Sequence, residues 1–223
     1  IPCVGGNVSF YNEDSESKIA VKPSLVVVIL GLIENLDWIT TMDLKNSGDQ
    51  IVVVGKTYPE LGGSEYYHEI HGLTGGKPPK ADGNREKATL QTVMEAIRKG
   101  LVTAAHDCSK GGLAIALALM AIKGKLGVKV DLSKIPTSKP IRMDELLFSE
   151  SHSRIILTTS TKENAKQILK IASKKGAPAN LVGKVTDDDN FTLTFDGRKI
   201  VECSVTQMER FWKETIPKAL EVG

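Results

Sequence analysis

The feature that most constrains the fold is an apolar run at residues 113–120, which follows directly after two glycines. The run predicts a helix over residues 112–123 that is apolar on every side, and such a helix is stable only when it is buried all round. Neither this run nor the apolar run at 25–33 is long enough to cross a bilayer. We therefore predict a globular core with no membrane-spanning segment and no membrane partner.

Shorter patterns on both sides of this helix predict a mixture of strands and helices. Strands are predicted at residues 25–33, 38–44, 50–54, 102–105, 127–132, 154–159, 181–185, 191–195 and 199–205. Helices are predicted at residues 64–71, 83–99, 112–123, 143–148, 162–174 and 206–220. The elements mix without strict βαβ alternation, which indicates an α+β fold (α/β mixed) rather than a doubly wound sheet.

Two of the predicted helices are amphipathic. The predicted apolar faces are Leu90, Val93, Met94 and Ile97 in the helix at 83–99, and Met208, Phe211, Trp212 and Ile216 in the helix at 206–220.

A polar segment at residues 45–49 separates two parts of the sequence. We predict that residues 1–46 are the end of one domain and that residues 47–223 form a second domain. The two strands predicted before the segment are not independently stable, so the first part needs a partner domain. The sequence opens on Ile1, Pro2 and Cys3, directly before a glycine-rich loop. From this opening we expect a fragment of a longer protein.

Composition excludes several classes of function. The chain has 29 basic and 27 acidic residues and only 5% aromatic residues, so it lacks the basic, aromatic surface of a nucleic-acid-binding protein. Its three cysteines contain no Cys-x-x-Cys pair, and their spacing fits neither a zinc site nor a disulfide framework. Reduced thiols and the lack of a visible secretory signal indicate a cytoplasmic protein.

The first candidate functional loop is Gly-Gly-Asn-Val-Ser-Phe-Tyr-Asn-Glu at residues 5–13. Its two glycines let the backbone approach a ligand and direct N–H groups toward anionic oxygens. Asn7 offers a carbonyl oxygen that suits Mg²⁺, and Ser9 offers a hydroxyl for a phosphate or sugar. No Gly-Lys-Ser/Thr follows, so this is not a Walker loop. An ordinary turn is the alternative.

Three further loops carry polar groups beside glycines or helix starts. They are Leu-Gly-Gly-Ser-Glu-Tyr at 61–66, Ala-His-Asp-Cys-Ser-Lys-Gly-Gly-Leu at 105–113, and Leu-Phe-Ser-Glu-Ser-His-Ser-Arg at 147–154. Asp107 ends a strand in front of a helix, which is a natural position for a Mg²⁺-bound nucleotide, whereas an ordinary capped helix is the alternative. Glu150 either faces a ligand or pairs with Arg154 at the surface.

The histidines carry less information. His68 and His71 are three residues apart on a predicted helix and could share a metal ion, but the sequence offers no evident third ligand, which favours a structural role.

The four loops, in this order, resemble the second half of phosphoribosylformylglycinamidine synthase, a member of the aminoimidazole ribonucleotide synthetase-like superfamily. The resemblance covers nearly the whole chain, including residues 201–212. It implies the C-terminal domain of that fold, preceded by the tail of an N-terminal domain. The missing N-terminal half of the same enzyme would carry the base and the main nucleotide residues. This fragment alone would then hold no catalytic residue and would be inactive.

The reaction implied by the resemblance uses ATP and Mg²⁺. ATP phosphorylates the formamide oxygen of formylglycinamide ribonucleotide, and glutamine-derived ammonia then displaces phosphate to give the amidine. The implied partners are a glutaminase subunit and a small bridging subunit. Alternatives are a related selenophosphate or aminoimidazole synthetase, or a non-catalytic nucleotide-binding or structural module.

The resemblance also implies roles for individual residues. Gly6 is similar to an ATP contact, Asn7 to a Mg²⁺ ligand and Ser9 to a substrate contact. By pseudo-symmetry with the first half, an auxiliary, non-catalytic nucleotide site would contain Asp107, Glu150 and Ser151. Lys110 departs from the family pattern, because related domains often have an acidic residue there, and this weakens a metal site in that loop.

Overall fold

The computed structural model of the chain describes residues 2–8, 12–20 and 26–221. Contacts within the chain divide it into two compact units, Ile1–Glu34 and Asn35–Gly223. The domain boundary predicted after residue 46 falls inside the second unit and stays a prediction.

The strand predicted at residues 25–33 is wrong for its described part. Residue 25 lies outside the described residues, and residues 26–33 form no strand. Their apolar side chains are exposed, with Val26 at 85% and Leu30 at 95% of full exposure. A strand needs hydrogen-bonded neighbours, and the described part of the first unit offers none to this segment.

The strand predicted at residues 38–44 is also wrong. A 3₁₀ turn at Leu36–Trp38 leads into an irregular segment. In that segment the Thr41 carbonyl accepts a hydrogen bond from the Ala105 N–H at 3.0 Å, and the Leu44 N–H donates to the Met120 carbonyl at 3.3 Å. These isolated bonds fix Leu44 in the core without forming a strand ladder.

The second unit contains seven strands and six helices in its described residues. The strands are β1 (Gln50–Val54), β2 (Ala104–Asp107), β3 (Gly127–Asp131), β4 (Ile155–Thr159), β5 (Ala179–Thr186), β6 (Asn190–Phe195) and β7 (Arg198–Ser204). The helices are α1 (Glu65–His71), α2 (Gly83–Arg98), α3 (Gly112–Gly124), α4 (Met143–Phe148), α5 (Lys162–Lys175) and α6 (Val205–Glu221). None of these described helices combines the length and apolar character needed to span a membrane.

The strands form one mixed sheet in the order β2-β4-β1-β5-β3-β6-β7. Every neighbouring pair is antiparallel except β3 and β6, which are parallel. Helices lie on both faces without a regular βαβ repeat. The predicted α+β fold is therefore confirmed.

Alternating side chains of β1 supply two hydrophobic clusters, one on each face of the sheet. Ile51 and Val53 belong to the first cluster, which includes side chains of α3 and α4. Val52 and Val54 belong to the second, which includes side chains of α2 and α5. Among the described residues the second cluster has no member from β3, β6 or β7. The second face of that half of the sheet therefore lies outside this core.

The apolar helix α3 is buried largely as predicted. Leu113, Leu117 and Met120 are fully buried in the first cluster, and of the large side chains in the run only Ile115 is strongly exposed. This confirms the sequence feature that most constrained the fold.

The face predicted for α2 is only partly correct. Val93 is buried as predicted, but Leu90 and Met94 are about half exposed, whereas Thr89 and Thr92 are buried. Helix α2 packs against α5, and the small threonine side chains occupy the side that faces the core. The contact between the helices decides the rotation here, rather than the distribution of the largest apolar residues.

Helix α6 contacts the core only near its start. Val205 is buried and Met208 packs against the first cluster, but Phe211, Trp212 and Ile216 are exposed. Most of the predicted apolar side of this helix is therefore about half exposed or more, although Lys123 Nζ of α3 lies 5.1 Å from the centre of the Trp212 ring.

The start of α3 requires glycine at position 112. Gly112 has a φ of +66°, and a Cβ atom there would lie 2.6 Å from the Ser149 carbonyl oxygen and 2.9 Å from the Leu147 carbonyl oxygen. The chain at the end of α4 therefore passes directly against the first turn of α3.

We expect Gly112→Ala to lower the free energy of unfolding by about 2–4 kcal/mol, because it combines a left-handed conformation with a backbone clash. Gly176→Ala is the matched control: Gly176 has a φ of +74° with nothing within 4 Å of its Cβ position, so about 1 kcal/mol is expected. Urea unfolding of both variants measures the difference. Equal losses of unfolding free energy in the two variants would contradict a steric clash at position 112.

Candidate functional site

Three of the predicted loops meet at one carboxylate. They lie at residues 61–66, 105–113 and 147–154. Glu150 Oε1 accepts hydrogen bonds from the backbone N–H groups of Gly111 at 2.8 Å and of Glu65 at 2.9 Å. These N–H groups lie at the starts of α3 and α1, where N–H groups lack intrahelical partners and carry positive partial charge. One carboxylate therefore joins two helix starts.

The loop before α1 is held by its own cap and by an ion pair. The Ser64 hydroxyl accepts from the Tyr67 N–H at 3.2 Å, so Ser64 is the N-cap of α1. Lys110 Nζ lies 2.7 Å from Glu65 Oε1. This hydrogen bond lowers the pKa of Glu65 and raises the pKa of Lys110. A phosphate beside Lys110 would have to compete with Glu65 for that cation.

Arg154 lies beneath the loop and is only 1% exposed. Its guanidinium donates to the Ser151 carbonyl at 3.1 Å, to Thr57 Oγ1 at 3.0 Å and to the Ser149 carbonyl. Burial lowers the pKa of Arg154, although an arginine stays charged in a protein. The surface pair between Glu150 and Arg154 is absent from the described residues, because the guanidinium is buried against backbone carbonyls.

Two serines of the same loop are buried and tied to the chain that follows β1. Ser151 Oγ accepts from the Tyr58 N–H at 3.1 Å and lies 3.3 Å from the Tyr58 carbonyl, to which it donates. Ser149 Oγ accepts from the Glu60 N–H at 3.1 Å. Both hydroxyls are fully buried. They position the loop, and Ser151 does not face the neighbouring cavity.

A cavity of about 390 Å³, lined by several polar and charged residues, opens between the end of β2, the segment before α3, the loop at 150–154 and α2. Asp107 and Glu150 both line it, together with Ser109 and Lys110. The Asp107 side chain is 66% exposed, and its carboxylate lies 3.4 Å from His106 Nδ1. Exposed carboxylate and hydroxyl oxygens are ligands that suit Mg²⁺. The cavity therefore has the donor chemistry for a hard cation and a polar ligand.

Other cavity residues were not named individually as candidate site residues from the sequence. Glu86 and Thr89 line the cavity from α2, and His152 and Ser153 line it from the loop. Thr89 Oγ1 donates to the Ser153 carbonyl at 3.1 Å, and Ser153 Oγ donates to Glu86. The unbroken polar run at 149–154 signalled the loop residues, but two polar positions on a long helix carry no such signal.

The first predicted loop belongs to the other unit. Gly6 and Asn7 are exposed, and a Cβ atom at Gly6 would meet nothing within 4 Å. Ser9 lies outside the described residues. The roles of these three residues stay predictions.

The described residues contain one group of side chains with metal-ligating atoms close together. Glu65, His68 and Glu69 have one such atom each within 4.8 Å of the others, and His71 is not part of the group. His68 Nδ1 lies 2.8 Å from Glu69 Oε1, and Glu65 is already paired with Lys110. Carboxylates therefore lie near His68, although the sequence offered no evident third ligand.

Comparison with known proteins gives a consistent family. Residues 46–196 match the model of the AIR synthase related protein, C-terminal domain. The PurL subunit of phosphoribosylformylglycinamidine synthase from Moorella thermoacetica is 42% identical over 216 residues, which are 97% of this chain and 28% of the relative. The chain thus spans less than a third of the length of such relatives.

Solved structures agree with this match. PurL of Thermotoga maritima in complex with FGAR superposes with a TM-score of 0.70 at 26% identity, over 78% of this chain and 30% of that one. The complex of T. maritima PurL with ATP gives a TM-score of 0.65 at 26% identity, over 78% and 28% of the two chains. With a family model matched over most of its length, the chain belongs to the AIR synthase related family and contains that family's C-terminal domain.

Proposed function

We propose that this chain is the C-terminal part of an ATP-dependent phosphoribosylformylglycinamidine synthase that acts in the cytoplasm in purine biosynthesis. The observation that carries the proposal is the junction at Glu150, where three of the four family-like loops meet beside a cavity lined by Asp107. The 42% identity over nearly the whole chain supports the same assignment.

In the proposed reaction, the product keeps its formyl group, so the oxygen that takes the γ-phosphoryl group of ATP is the glycinamide carbonyl oxygen of formylglycinamide ribonucleotide rather than the formamide oxygen, and ADP leaves. Glutamine-derived ammonia then attacks the glycinamide carbonyl carbon, and phosphate leaves to give the amidine. Bound Mg²⁺ would supply charge neutralisation on the phosphates. A glutaminase subunit, a small bridging subunit and the N-terminal half of the enzyme complete the proposed assembly. The chain alone is expected to be inactive.

We assign the direct contacts to the first unit. Gly6 would approach ATP through its backbone, the amide oxygen of Asn7 would bind Mg²⁺, and the Ser9 hydroxyl would contact the ribonucleotide. Gly6 and Asn7 are both exposed. Their exposure supports this assignment, because a buried backbone or side-chain group could not reach a ligand.

In the second unit, Asp107 is the residue suited to hold Mg²⁺ of an auxiliary nucleotide. Glu150 has a positioning role in this proposal, because its Oε1 atom already binds two helix N–H groups. The Ser151 hydroxyl is engaged with the Tyr58 backbone, so Ser151 would act through the shape of the loop.

One observation favours a second candidate, a structural module without nucleotide. The Gly111 N–H group that could receive a phosphate at the start of α3 is already bonded to Glu150.

Calorimetry with Mg²⁺-ADP distinguishes an auxiliary nucleotide site from a structural module without nucleotide. We expect Asp107→Asn to weaken binding at least about tenfold, the scale of one charged contact, and the exposed control Asp187→Asn to leave it unchanged. Absence of binding in the unmodified protein supports the structural module.

In the full-length enzyme, Asn7→Ala and Ser9→Ala are each expected to lower the rate of amidine formation about a hundredfold or more, because each removes a contact to Mg²⁺ or substrate in the reacting complex. Asn46→Ala is the control outside the loop. The measurement is product formation from formylglycinamide ribonucleotide, ATP and ammonia, with circular dichroism to confirm folding. Unchanged rates would contradict these contacts.

Glu150→Ala is expected to lower the free energy of unfolding by about 2–3 kcal/mol, because two partly buried N–H groups lose their acceptor. Glu150→Gln keeps an acceptor oxygen and should lose about half as much. Glu163→Ala, at an exposed pair with Lys166, should change stability by less than about 0.5 kcal/mol. Urea unfolding of the three variants measures these changes. Similar losses of unfolding free energy in Glu150→Ala and Glu163→Ala would contradict the proposed contribution of the Glu150 hydrogen bonds to stability.

A further inference from the structure

A second cavity lies away from the Glu150 junction, at the border of the part of the sheet that the second hydrophobic cluster does not cover. It is a groove of about 380 Å³ over β1, β3, β5 and β6. Its lining includes four lysines, Lys129, Lys134, Lys162 and Lys184, and one aspartate, Asp131. We call it the lysine groove. Its lining carries a local formal charge of +3, whereas the entire chain carries +2.

Three of these lysines occupy positions that local energetics disfavour. Lys129 and Lys184 are direct cross-strand partners in the antiparallel pair of β3 and β5, and like charges in that arrangement destabilise a sheet. Lys162 is the first residue of α5, where the positive end of the helix dipole disfavours a cation. Residues that break local rules in this way are expected at functional positions.

The positive charge is only partly neutralised within the protein. Lys134 Nζ lies 3.1 Å from Asp131, and Lys129 Nζ lies 3.8 Å from Asp188. Neither Lys162 nor Lys184 forms an ion pair with any residue in the described part of the chain. Two ammonium groups at the groove therefore remain available to an anion.

One of the residues that line the groove is a glycine at which β5 approaches β3 closely. A Cβ atom at Gly183 would lie 2.2 Å from the Lys129 carbonyl oxygen, so no larger side chain fits there. Gly183 also lies beside a register shift between β1 and β5 at residues 51 and 52. The resulting depression is bounded by long cationic side chains and has the volume of a small-molecule site.

We propose that the lysine groove binds a compact, multiply charged anion of the di- or triphosphate class. Four lysine side chains line a space of small-molecule size, two of them without an ion pair in the described part of the chain, and lysine binds phosphate as a point charge. An extended acidic peptide would need a longer basic track. The groove contains no aromatic side chain, so it offers no stacking surface for a nucleic-acid base. This site is separate from the cavity beside Asp107.

The test measures thermal unfolding of the 223-residue chain with sodium tripolyphosphate, at low and at high ionic strength. A ligand that binds the folded state raises the melting temperature, and screening by salt should reduce the rise. Calorimetry gives the affinity. We expect Lys129→Gln with Lys184→Gln to weaken tripolyphosphate binding about tenfold or more, since each removes a charged contact.

The matched control is Lys87→Gln with Lys170→Gln, which removes the same charge from two exposed helical positions outside the groove. The control should retain tripolyphosphate binding. Without ligand, the groove variant should melt about 1–3 °C above the unmodified protein, because the repulsion between the paired lysines is gone. A groove variant that melts below the unmodified protein would contradict the proposed repulsion between Lys129 and Lys184.

Three other results would overturn the proposal. The first is no thermal shift with tripolyphosphate at low salt. The second is equal loss of binding in the groove and control variants, which would indicate attraction by overall charge. The third is binding of a polyglutamate peptide without binding of tripolyphosphate, which would assign the groove to an acidic protein segment.

Discussion

The hydrogen bonds from two helix starts to the Glu150 carboxylate are the constraint on which the polar site depends. Without an acceptor between them, the N–H groups of Gly111 and Glu65 would face each other across the loop with like partial charge. The carboxylate removes that conflict and fixes α1 against α3. Asp107 ends β2 and is joined to α3 by residues 108–111, so the same bonds also restrict where its exposed side chain stands relative to the cavity.

The loop that carries Glu150 is itself held from below. Arg154 binds two of its carbonyl groups, while the hydroxyls of Ser149 and Ser151 bind the backbone after β1. A buried guanidinium with backbone partners gives a rigid support, because removal of any one partner would leave a buried polar group unsatisfied. The polar loop is thus an ordered part of the core, and four of its residues, Glu150, His152, Ser153 and Arg154, line the cavity.

Local patterns in the sequence were sufficient for most elements of the fold. The apolar run of α3, the short continuous apolar run of β1 and the glycines before α3 each indicate structure through neighbouring residues alone. The errors have non-local causes: residues 26–33 lack a partner strand in the described part of their unit, and the rotation of α2 is decided by α5. The lysine groove assembles from separate segments, so no pattern in the sequence revealed it. The same holds for the buried state of Arg154.

The topology of the sheet also has a consequence for how the chain is made. The central strand β1 pairs with β4 and β5, where Val52 meets Leu157 and Leu181 far later in the sequence. During synthesis, the backbone N–H and C=O groups of β1, a run of β-branched residues, have no partner strand on either side until β4 and β5 have left the ribosome. Such segments are prone to intermolecular pairing, so the nascent protein has reason to depend on a chaperone over this interval.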